Sequence, residues 1–256
     1  MFRIATWNVN SLRVRLPHVL QWLKKENPDV LALQETKITD ENFPTDEFTS
    51  LGYHVAFSGQ KTFNGVAIAS RRQPENIITS LPGIDDIQKR VLCADINGIT
   101  VLNLYVPNGS EIGSEKYAYK LYWFSHLHPF VKKLTARSGK IIILGDFNIA
   151  PEDQDVHDPA AWEGSVLVSE PERIEFRKLL AAGFVDTFRS FEQAENSFSW
   201  WDYRAAAFRR NRGLRIDHIL ASKNLAGKCM DCRIDTGPRK LERPSDHAPV
   251  AADFKI

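Results

Sequence analysis

The sequence lacks the segments that send a chain into or across a membrane. It has no run of about 18 consecutive apolar residues, the length that a membrane-spanning helix requires. Its first residues, MFRIATWNVN, lack the cationic stretch followed by an apolar stretch that makes a signal peptide. We therefore expect an intracellular protein that does not bind membranes.

Cysteine and net charge are also scarce. Three cysteines are an odd number, which favours a reducing compartment over a disulfide framework. Cys229 and Cys232 have the CxxC spacing of zinc sites, but no second cysteine or histidine pair completes such a site, so we interpret them as ordinary thiols. The formal net charge is only +1, so any site for a polyanion must come from local clustering of basic residues.

No internal repeat, low-complexity tract or linker divides the 256 residues, and 43% of them are hydrophobic, which is ample for a large core. We therefore predict a single domain over residues 1–256. Short β-rich runs alternate with three stretches of helical periodicity, which predicts an α/β fold. The predicted helices are Leu12–Lys25, Ser114–Ala136 and Pro171–Ala182. The irregular stretch from Ala150 to Ser169 is predicted to be a solvated loop.

The stretch KIIILGDFN, residues 140–148, predicts a buried strand with polar side chains at its end. A continuous apolar run bounded by glycine is typical of a strand that is covered on both faces. Asp146 and Asn148 follow, at a position where a rigid sheet holds side chains that still reach solvent. Asp and Asn in such a place can also simply close a turn, and the stretch taken alone favours that alternative.

The same arrangement recurs at other predicted strand ends. The further strand-end residues are Asn8, Glu35, Asn108, Asp217, Asp246 and His247. Carboxylates without cysteine partners are the hard oxygen ligands that suit Mg²⁺ or Mn²⁺. A metal held by carboxylates, a carboxylate base and a charged histidine are the parts that attack of water on a phosphodiester requires. The recurrence therefore indicates such chemistry, provided that these strand ends converge.

An aromatic and basic segment lies near the C-terminal end. FSWWDY, residues 198–203, contains four aromatic residues, and five arginines follow it. The arginines are Arg204, Arg209, Arg210, Arg212 and Arg215. Aromatic faces beside an arginine cluster suit a polyanion with flat bases or sugars. An ordinary core anchor followed by a solvated basic turn explains the segment equally well.

Seven motifs occur in one order between positions 6 and 250. They are TWNVNSLR, DVLALQETK, NLYVPNG, LGDFNIAP, FSWWDYR, RGLRIDHILAS and ERPSDHAPV. In these motifs the chain resembles the exonuclease III family of apurinic/apyrimidinic endonucleases, of bacterial type, within the endonuclease/exonuclease/phosphatase superfamily. The resemblance implies a four-layer α/β sandwich of the DNase I-like kind, in which two facing, mostly antiparallel sheets have helices outside.

The resemblance implies a metal site and its ligands. Glu35 would be the principal ligand, and Asn8 and Asp246 would support the metal. The implied cofactor is Mg²⁺, with Mn²⁺ as a substitute. Asn10 is a departure from the family pattern, since members also carry Asp there, and it removes no essential ligand.

The resemblance also implies the catalytic roles. Asp146 and Asn148 would prepare and orient the attacking water. His247 would bind the scissile phosphate, held by a hydrogen bond that it donates to Asp217 across two strand ends and that raises the pKa of the imidazole. The catalytic set is completed by Tyr105 and Asn108.

The implied substrate is double-stranded DNA with abasic sites or damaged 3′ ends. Trp200, Leu214 and Ile216 would enclose an extruded sugar that has no base, and the five arginines would hold phosphates. The implied enzyme is a monomeric, cytoplasmic and nucleoid-associated DNA repair nuclease. It would cut 5′ to abasic sites and act as a 3′-5′ exonuclease and as a 3′-phosphatase or phosphodiesterase.

Three alternatives remain at this point. The enzyme could be mainly an exonuclease and 3′-phosphatase with weak abasic-site incision, because Leu214 stands where some relatives carry the larger Trp. It could be a superfamily phosphatase of inositol phosphates or phospholipids, although WWDYR and the arginines are not needed for a small headgroup. It could be a binding module without catalytic activity, but the polar strand-end residues are intact, which argues against this alternative.

Overall fold

The computed structural model describes all 256 residues, Met1–Ile256. The strands are β1 Phe2–Asn8, β2 Val30–Gln34, β3 His54–Ser58, β4 Val66–Ser70, β5 Glu75–Ile78, β6 Val91–Ile96, β7 Ile99–Tyr105, β8 Ile141–Asp146, β9 Phe184–Asp186, β10 Asp217–Ser222, β11 Cys229–Ile234 and β12 Val250–Phe254. The helices are α1 Leu12–Glu26, α2 Thr45–Thr49, α3 Glu115–Arg137, α4 Pro159–Trp162, α5 Glu170–Ala181 and α6 Lys223–Ala226. The three predicted helices are confirmed as α1, α3 and α5, each to within one residue at either end.

Two six-stranded sheets form the centre of the fold. Their strand orders are β11-β12-β1-β2-β4-β3 and β5-β6-β7-β8-β10-β9. Each sheet contains one parallel pair, β1 with β2 and β7 with β8, and its other neighbours are antiparallel. A parallel pair needs a crossover, which α1 and α3 provide. Both strands of each pair therefore end at the same edge of their sheet.

Three apolar clusters separate the layers. The largest cluster contains residues of both sheets, such as Ile4 and Ile142, and fills the space between them. A second packs α3 and α5 on the outer face of the β7–β8 sheet, and a third packs α1 and α2 on the outer face of the β1–β2 sheet. Helices outside two facing sheets confirm the predicted four-layer, DNase I-like sandwich. No helix is both long and apolar enough to cross a membrane.

Serine caps begin the two helices on the β7–β8 side. Ser114 Oγ accepts a hydrogen bond from the backbone N–H of Tyr117 at the start of α3. At the start of α5, Ser169 and Glu172 form a reciprocal capping box. Glu172 is completely buried, which is unusual for a capping glutamate.

The prediction of a solvated loop between Ala150 and Ser169 is wrong in part. Asp155 is fully buried and accepts hydrogen bonds from Arg215 Nε at 2.6 Å and Nη2 at 3.2 Å, and it also pairs with Arg189. Val156 and Leu167 pack in a cluster with Leu214 and Ile216. The segment is irregular because its side chains pack locally against the basic segment, which no local periodicity reveals.

Candidate active site

The ends of the two parallel pairs bring the site together. Asn8 and Gln34 are register partners at the end of β1 and β2, and Tyr105 and Asp146 are partners at the end of β7 and β8. The side chain of Asn8 joins the two sheets at this edge. Asn8 Nδ2 donates hydrogen bonds to Glu35 Oε1 at 2.8 Å and to Asp146 Oδ2 at 2.9 Å. The strand ends therefore converge, as the hypothesis of phosphodiester hydrolysis required.

Glycine in the GDFN motif permits close approach of neighbouring strands. Gly145 has a φ of 142°, and a Cβ atom there would lie only 1.9 Å from the carbonyl oxygen of Leu104. Glu35 and Asn148 have left-handed φ values of 50° and 49°, which are uncommon for residues with a side chain. Such conformations concentrate at functional sites, where the surrounding structure holds them.

A histidine paired with a buried carboxylate stands beside Asp146. His247 Nδ1 lies 2.9 Å from Asp217 Oδ2, which confirms the predicted pair, and Ser199 Oγ donates to the same carboxylate oxygen at 2.7 Å. Burial alone would lower the pKa of His247, but the charges of Asp217 and Asp146 outweigh it and raise the pKa to about 10. The imidazole is therefore charged at neutral pH.

Asp146 is tuned in the opposite sense. Burial raises its pKa to about 7, and the negative charges of Asp217 and Glu35 add to this effect, although the charge of His247 opposes it. Its Oδ2 lies 3.8 Å from His247 Nε2, and its Oδ1 accepts a hydrogen bond from the backbone N–H of Asn148 at 2.9 Å. A carboxyl group with a pKa near neutrality is suited to proton transfer.

Three of the predicted residues form a group that could hold a metal ion. One ligand atom from each of Glu35, Asp146 and His247 lies within 4.8 Å of the others. Because His247 is charged and its Nδ1 is bonded to Asp217, the usable donors are the carboxylate oxygens of Glu35 and Asp146. Burial would raise the pKa of Glu35, but the Lys37 ammonium, 2.8 Å away, and the bond from Asn8 bring it below its usual value. A hard divalent cation fits this oxygen donor set.

The other two predicted metal residues surround this group with their polar atoms already engaged. Asn8 directs its amide nitrogen at the carboxylates, and its oxygen accepts from the backbone N–H of Asn10 at 3.0 Å. Asp246 accepts from Asn10 Nδ2 and from Trp200 Nε1, both at 3.0 Å. Here they position neighbours, and direct ligation by either stays a prediction.

The two asparagines of the loops after β7 and β8 contact each other. Asn108 Nδ2 donates to Asn148 Oδ1 at 2.9 Å, and Asn148 Nδ2 donates to the carbonyl of Val106 at 3.0 Å. Tyr105 lies between the carboxylates and Arg90, whose guanidinium carbon is 4.6 Å from the centre of its ring. Burial, with the charges of Glu35 and Asp146, raises the pKa of Tyr105 well above its usual value, so it stays protonated.

The three residues predicted to enclose a sugar are neighbours, but only one is accessible. Trp200 and Leu214 are bonded through their backbones, and Trp200 is half-buried. Leu214 and Ile216 are 0% and 1% exposed and pack with Val156 and Leu167. Neither Leu214 nor Ile216 is open to solvent in this structure. The assignment of these three residues stays a prediction.

The arginine cluster divides into two kinds. Four members are exposed on the loop between Trp201 and Gly213, namely Arg204, Arg209, Arg210 and Arg212. Arg215 is 1% exposed and is paired with Asp155 and, at 2.8 Å, with Asp186. The prediction that Arg215 holds a DNA phosphate is therefore wrong, because its guanidinium is enclosed by acidic partners.

Sequence reasoning missed two supporting residues. Lys37 pairs with Glu35 and donates to Asn10 Oδ1 at 2.6 Å. Ser199 fixes Asp217 and also accepts from the backbone N–H groups of Ile216 and Asp217 at 3.0 Å. Both lie inside quoted motifs, QETK and FSWWDYR, so their position in these motifs was the available signal.

Comparison with known proteins agrees with this geometry. The chain is 39% identical to exodeoxyribonuclease III of Haemophilus influenzae over 99% of this chain and 100% of that protein. It superposes on the 3′ phosphatase NExo from Neisseria, solved with a product DNA hairpin, with a TM-score of 0.98 at 46% identity and full coverage of both chains. An AP endonuclease from Archaeoglobus fulgidus gives a TM-score of 0.96 at 44% identity, again over both full chains.

Fold and site together define a class of phosphoester-cleaving enzymes built on two facing sheets, in which an acidic group and a charged histidine meet at the strand ends. The sequence profile of the Endonuclease/Exonuclease/phosphatase family matches residues 5–247. The chain belongs to this family, as its motifs indicated.

Proposed function

We propose that the protein is a DNA repair nuclease that hydrolyses phosphoester bonds in double-stranded DNA. Its substrates would be abasic sites, cut on their 5′ side, and damaged or blocked 3′ ends. The observation that carries the proposal is the convergence of Glu35, Asp146 and His247 within 4.8 Å. The names of the relatives, which include exodeoxyribonuclease III and AP endonuclease, support DNA as the substrate class.

Each residue of the site has a part in this reaction. The charged His247, held by Asp217, would face a nonbridging oxygen of the scissile phosphate and stabilise the negative charge that develops there. Asp146 would take a proton from the attacking water, since its pKa of about 7 leaves a large ionised fraction at neutral pH. Asn148, fixed by Asn108 and by the carbonyl of Val106, would orient that water.

Mg²⁺ is the cofactor that we propose, with Mn²⁺ as a substitute. Glu35 would hold it as the principal ligand, because it presents carboxylate oxygens and has no sulfur or neutral imidazole ligand nearby, and Asp146 would stay free to accept the proton. When bound, such an ion supplies positive charge that stabilises the phosphoryl oxygens and the leaving group. Lys37 would keep Glu35 ionised and ready to bind.

One observation favours a second candidate, an enzyme that works mainly on 3′ ends. Leu214 and Ile216 are buried in an apolar cluster against which Trp200 packs, so a pocket for an extruded sugar is not preformed. Flipping a nucleotide out of a duplex costs a few kcal/mol, and opening this packing would add to the cost. A 3′-terminal phosphate can reach the catalytic group without extrusion.

A comparison of two substrates tests the proposal. One duplex carries a single abasic-site analogue and the other a 3′-phosphate at a nick, each with the same sequence. The wild-type protein should process both. Trp200→Ala, shown to be folded by circular dichroism, should lose abasic incision more than removal of the 3′-phosphate. Equal losses would contradict the role of Trp200 in the pocket, and wild-type activity on neither duplex would contradict the proposed function.

A further inference from the structure

A lysine that the proposed mechanism does not use is buried directly behind the two catalytic asparagines. Lys120, on α3, is 0% exposed. Its ammonium donates to the backbone carbonyls of Asn148 at 2.7 Å and of Asn108 at 3.2 Å, and to the carboxylate of Glu172. An ammonium has three N–H donors, so these three acceptors satisfy it completely.

Glu172 is equally enclosed. It is 0% exposed, and the carboxylate oxygen that does not face Lys120 accepts from Ser169 Oγ at 2.6 Å and from the Ser169 backbone N–H at 3.2 Å. The same hydroxyl lies 2.7 Å from the hydroxyl of Tyr117 on α3. The ion pair therefore joins the buried faces of α3 and α5 and leaves no charge uncompensated.

Stability alone does not account for such a pair. Removing two charges from water costs several kcal/mol for each ion, and apolar residues of similar volume commonly stabilise a core as well or better. The pair does, however, make contacts that apolar side chains could not make, namely the hydrogen bonds to the carbonyls of Asn108 and Asn148. These carbonyls belong to two different loops, one after β7 and one after β8.

The two carbonyls control the side chains that the reaction needs. Asn148 has a left-handed backbone, and its side chain bridges Asn108 and the carbonyl of Val106. The loop after β7 also packs on the stem of Lys120, because a Cβ atom on Gly109 would come within 3.3 Å of Lys120 Cδ. A single ammonium thus sets the spacing of both loops from behind.

We propose that Lys120 is a positioning residue, which sets the catalytic orientation of Asn108 and Asn148 through their carbonyls, and that Glu172 serves to neutralise it. This inference rests on the proposed function for its kinetic consequence and on the contacts above for its structural one. Lys120 is completely buried, so it does not meet the DNA, and it is not a proposed metal ligand. Its loss should lower kcat and leave the KM for DNA nearly unchanged, because the exposed residues that meet the DNA are not disturbed.

Three variants separate positioning from stability. In Lys120→Met a buried Glu172 loses its partner, so both Tm and kcat should fall. In Lys120→Met/Glu172→Met no buried charge remains, so Tm should recover, but kcat should stay about 10- to 100-fold low because the carbonyls are still unheld. In Glu172→Gln the ammonium keeps both carbonyls, so kcat should stay within about threefold of wild type even if Tm falls. Lys132→Met, an exposed lysine on the same helix, is the matched control and should change neither quantity.

A second readout does not depend on activity. The side-chain amide resonances of Asn108 and Asn148 should shift or broaden in the double variant and remain at their wild-type positions in Glu172→Gln. A double variant with wild-type kcat and unmoved amide resonances would overturn the proposal. A folded Glu172→Gln protein whose kcat and amide resonances change as in the double variant would also overturn it. If the wild-type protein cleaves no DNA, the proposed function fails, and the resonances alone then decide the role of Lys120.

Discussion

The protonation states of His247 and Asp146 are set by the charges around them. Asp217 and Asp146 keep His247 charged, while burial and the charges of Asp217 and Glu35 hold the pKa of Asp146 near neutrality. His247, which would donate to the phosphate, and Asp146, which would accept a proton, thus lie 3.8 Å apart. The imidazole stays charged and the carboxyl group stays partly ionised at neutral pH. The pairing of Asp217 with His247 was predictable from the family resemblance, because both residues lie in the motifs that carry it, RGLRIDHILAS and ERPSDHAPV.

Replacing Asp217 with Asn tests this arrangement. The variant removes the charge that most strongly raises the pKa of His247, so a smaller fraction of the imidazole is charged at neutral pH. We expect kcat to fall on the order of a hundredfold, with a smaller change in KM, because the lost charge acts on the developing transition state. Steady-state kinetics on the 3′-phosphorylated duplex measure both constants, and Asp46→Asn, which changes an exposed carboxylate on α2, is the control.

A normal kcat in Asp217→Asn would contradict the role of the pair. The same would follow if KM rose while kcat was unchanged, since His247 would then contribute only to binding in the ground state.

At the scale of elements, the irregular segment between β8 and α5 shows where sequence reasoning stops. Apolar periodicity located the strands and the three long helices, because each buries one face or both faces over many residues. Asp155 and Arg215 are 60 residues apart, and neither lies in a periodic pattern that marks it as buried. The sequence therefore could not distinguish this interior pair from a solvated acid and a DNA-binding arginine.

Asp155→Asn should destabilise the fold at neutral pH by about 3 to 5 kcal/mol, the usual cost of breaking a buried ion pair. Burial would raise the pKa of Asp155, but Arg215 lowers it below the usual value. A carboxylate with a lowered folded-state pKa stabilises the protein above its unfolded pKa of about 4, and this contribution is lost as the pH falls below that value. Urea denaturation at a series of pH values should show the wild type and the variant converging below about pH 4.

Asp153→Asn is the matched control, because Asp153 is an exposed carboxylate in the same segment. A variant at position 155 that is as stable as the wild type at pH 7 would show that the pair contributes no net stability.

At the scale of the whole molecule, charge is distributed unevenly although it nearly cancels. The net charge is +1, yet four exposed arginines lie on the one loop that joins Trp201 to Gly213. Local clustering was predictable because it depends on the order of residues along the chain, and the four-layer sandwich was predictable from the resemblance that the motifs carry. Which arginine faces solvent was not, because it depends on partners from distant segments.

Arg210→Gln/Arg212→Gln should weaken DNA binding and make it less dependent on salt. Each phosphate contact contributes roughly 0.9 to the slope of log K against log salt concentration, so the loss of two contacts should reduce the slope by about 2. Fluorescence anisotropy with a labelled duplex measures the slope. A range of about 50 to 200 mM salt is suitable, because the affinity for DNA changes strongly over it. The control is Arg72→Gln, because Arg72 is exposed and follows the end of β4 that lies away from the site. This variant should leave the slope unchanged. An equal change of slope in both variants would show that the loop has no special role.

The most direct test of the whole account is whether cleavage needs a divalent cation held by Glu35. The measurement is the rate of release of phosphate from a 3′-phosphorylated duplex in Mg²⁺, after addition of excess chelator, and after Mg²⁺ is restored, for the wild type and for Glu35→Ala. We predict that chelation abolishes the wild-type rate, that Mg²⁺ restores it, and that Glu35→Ala is slower by on the order of a hundredfold or more. Undiminished release in excess chelator, or a Glu35→Ala protein with the wild-type rate, would contradict the account.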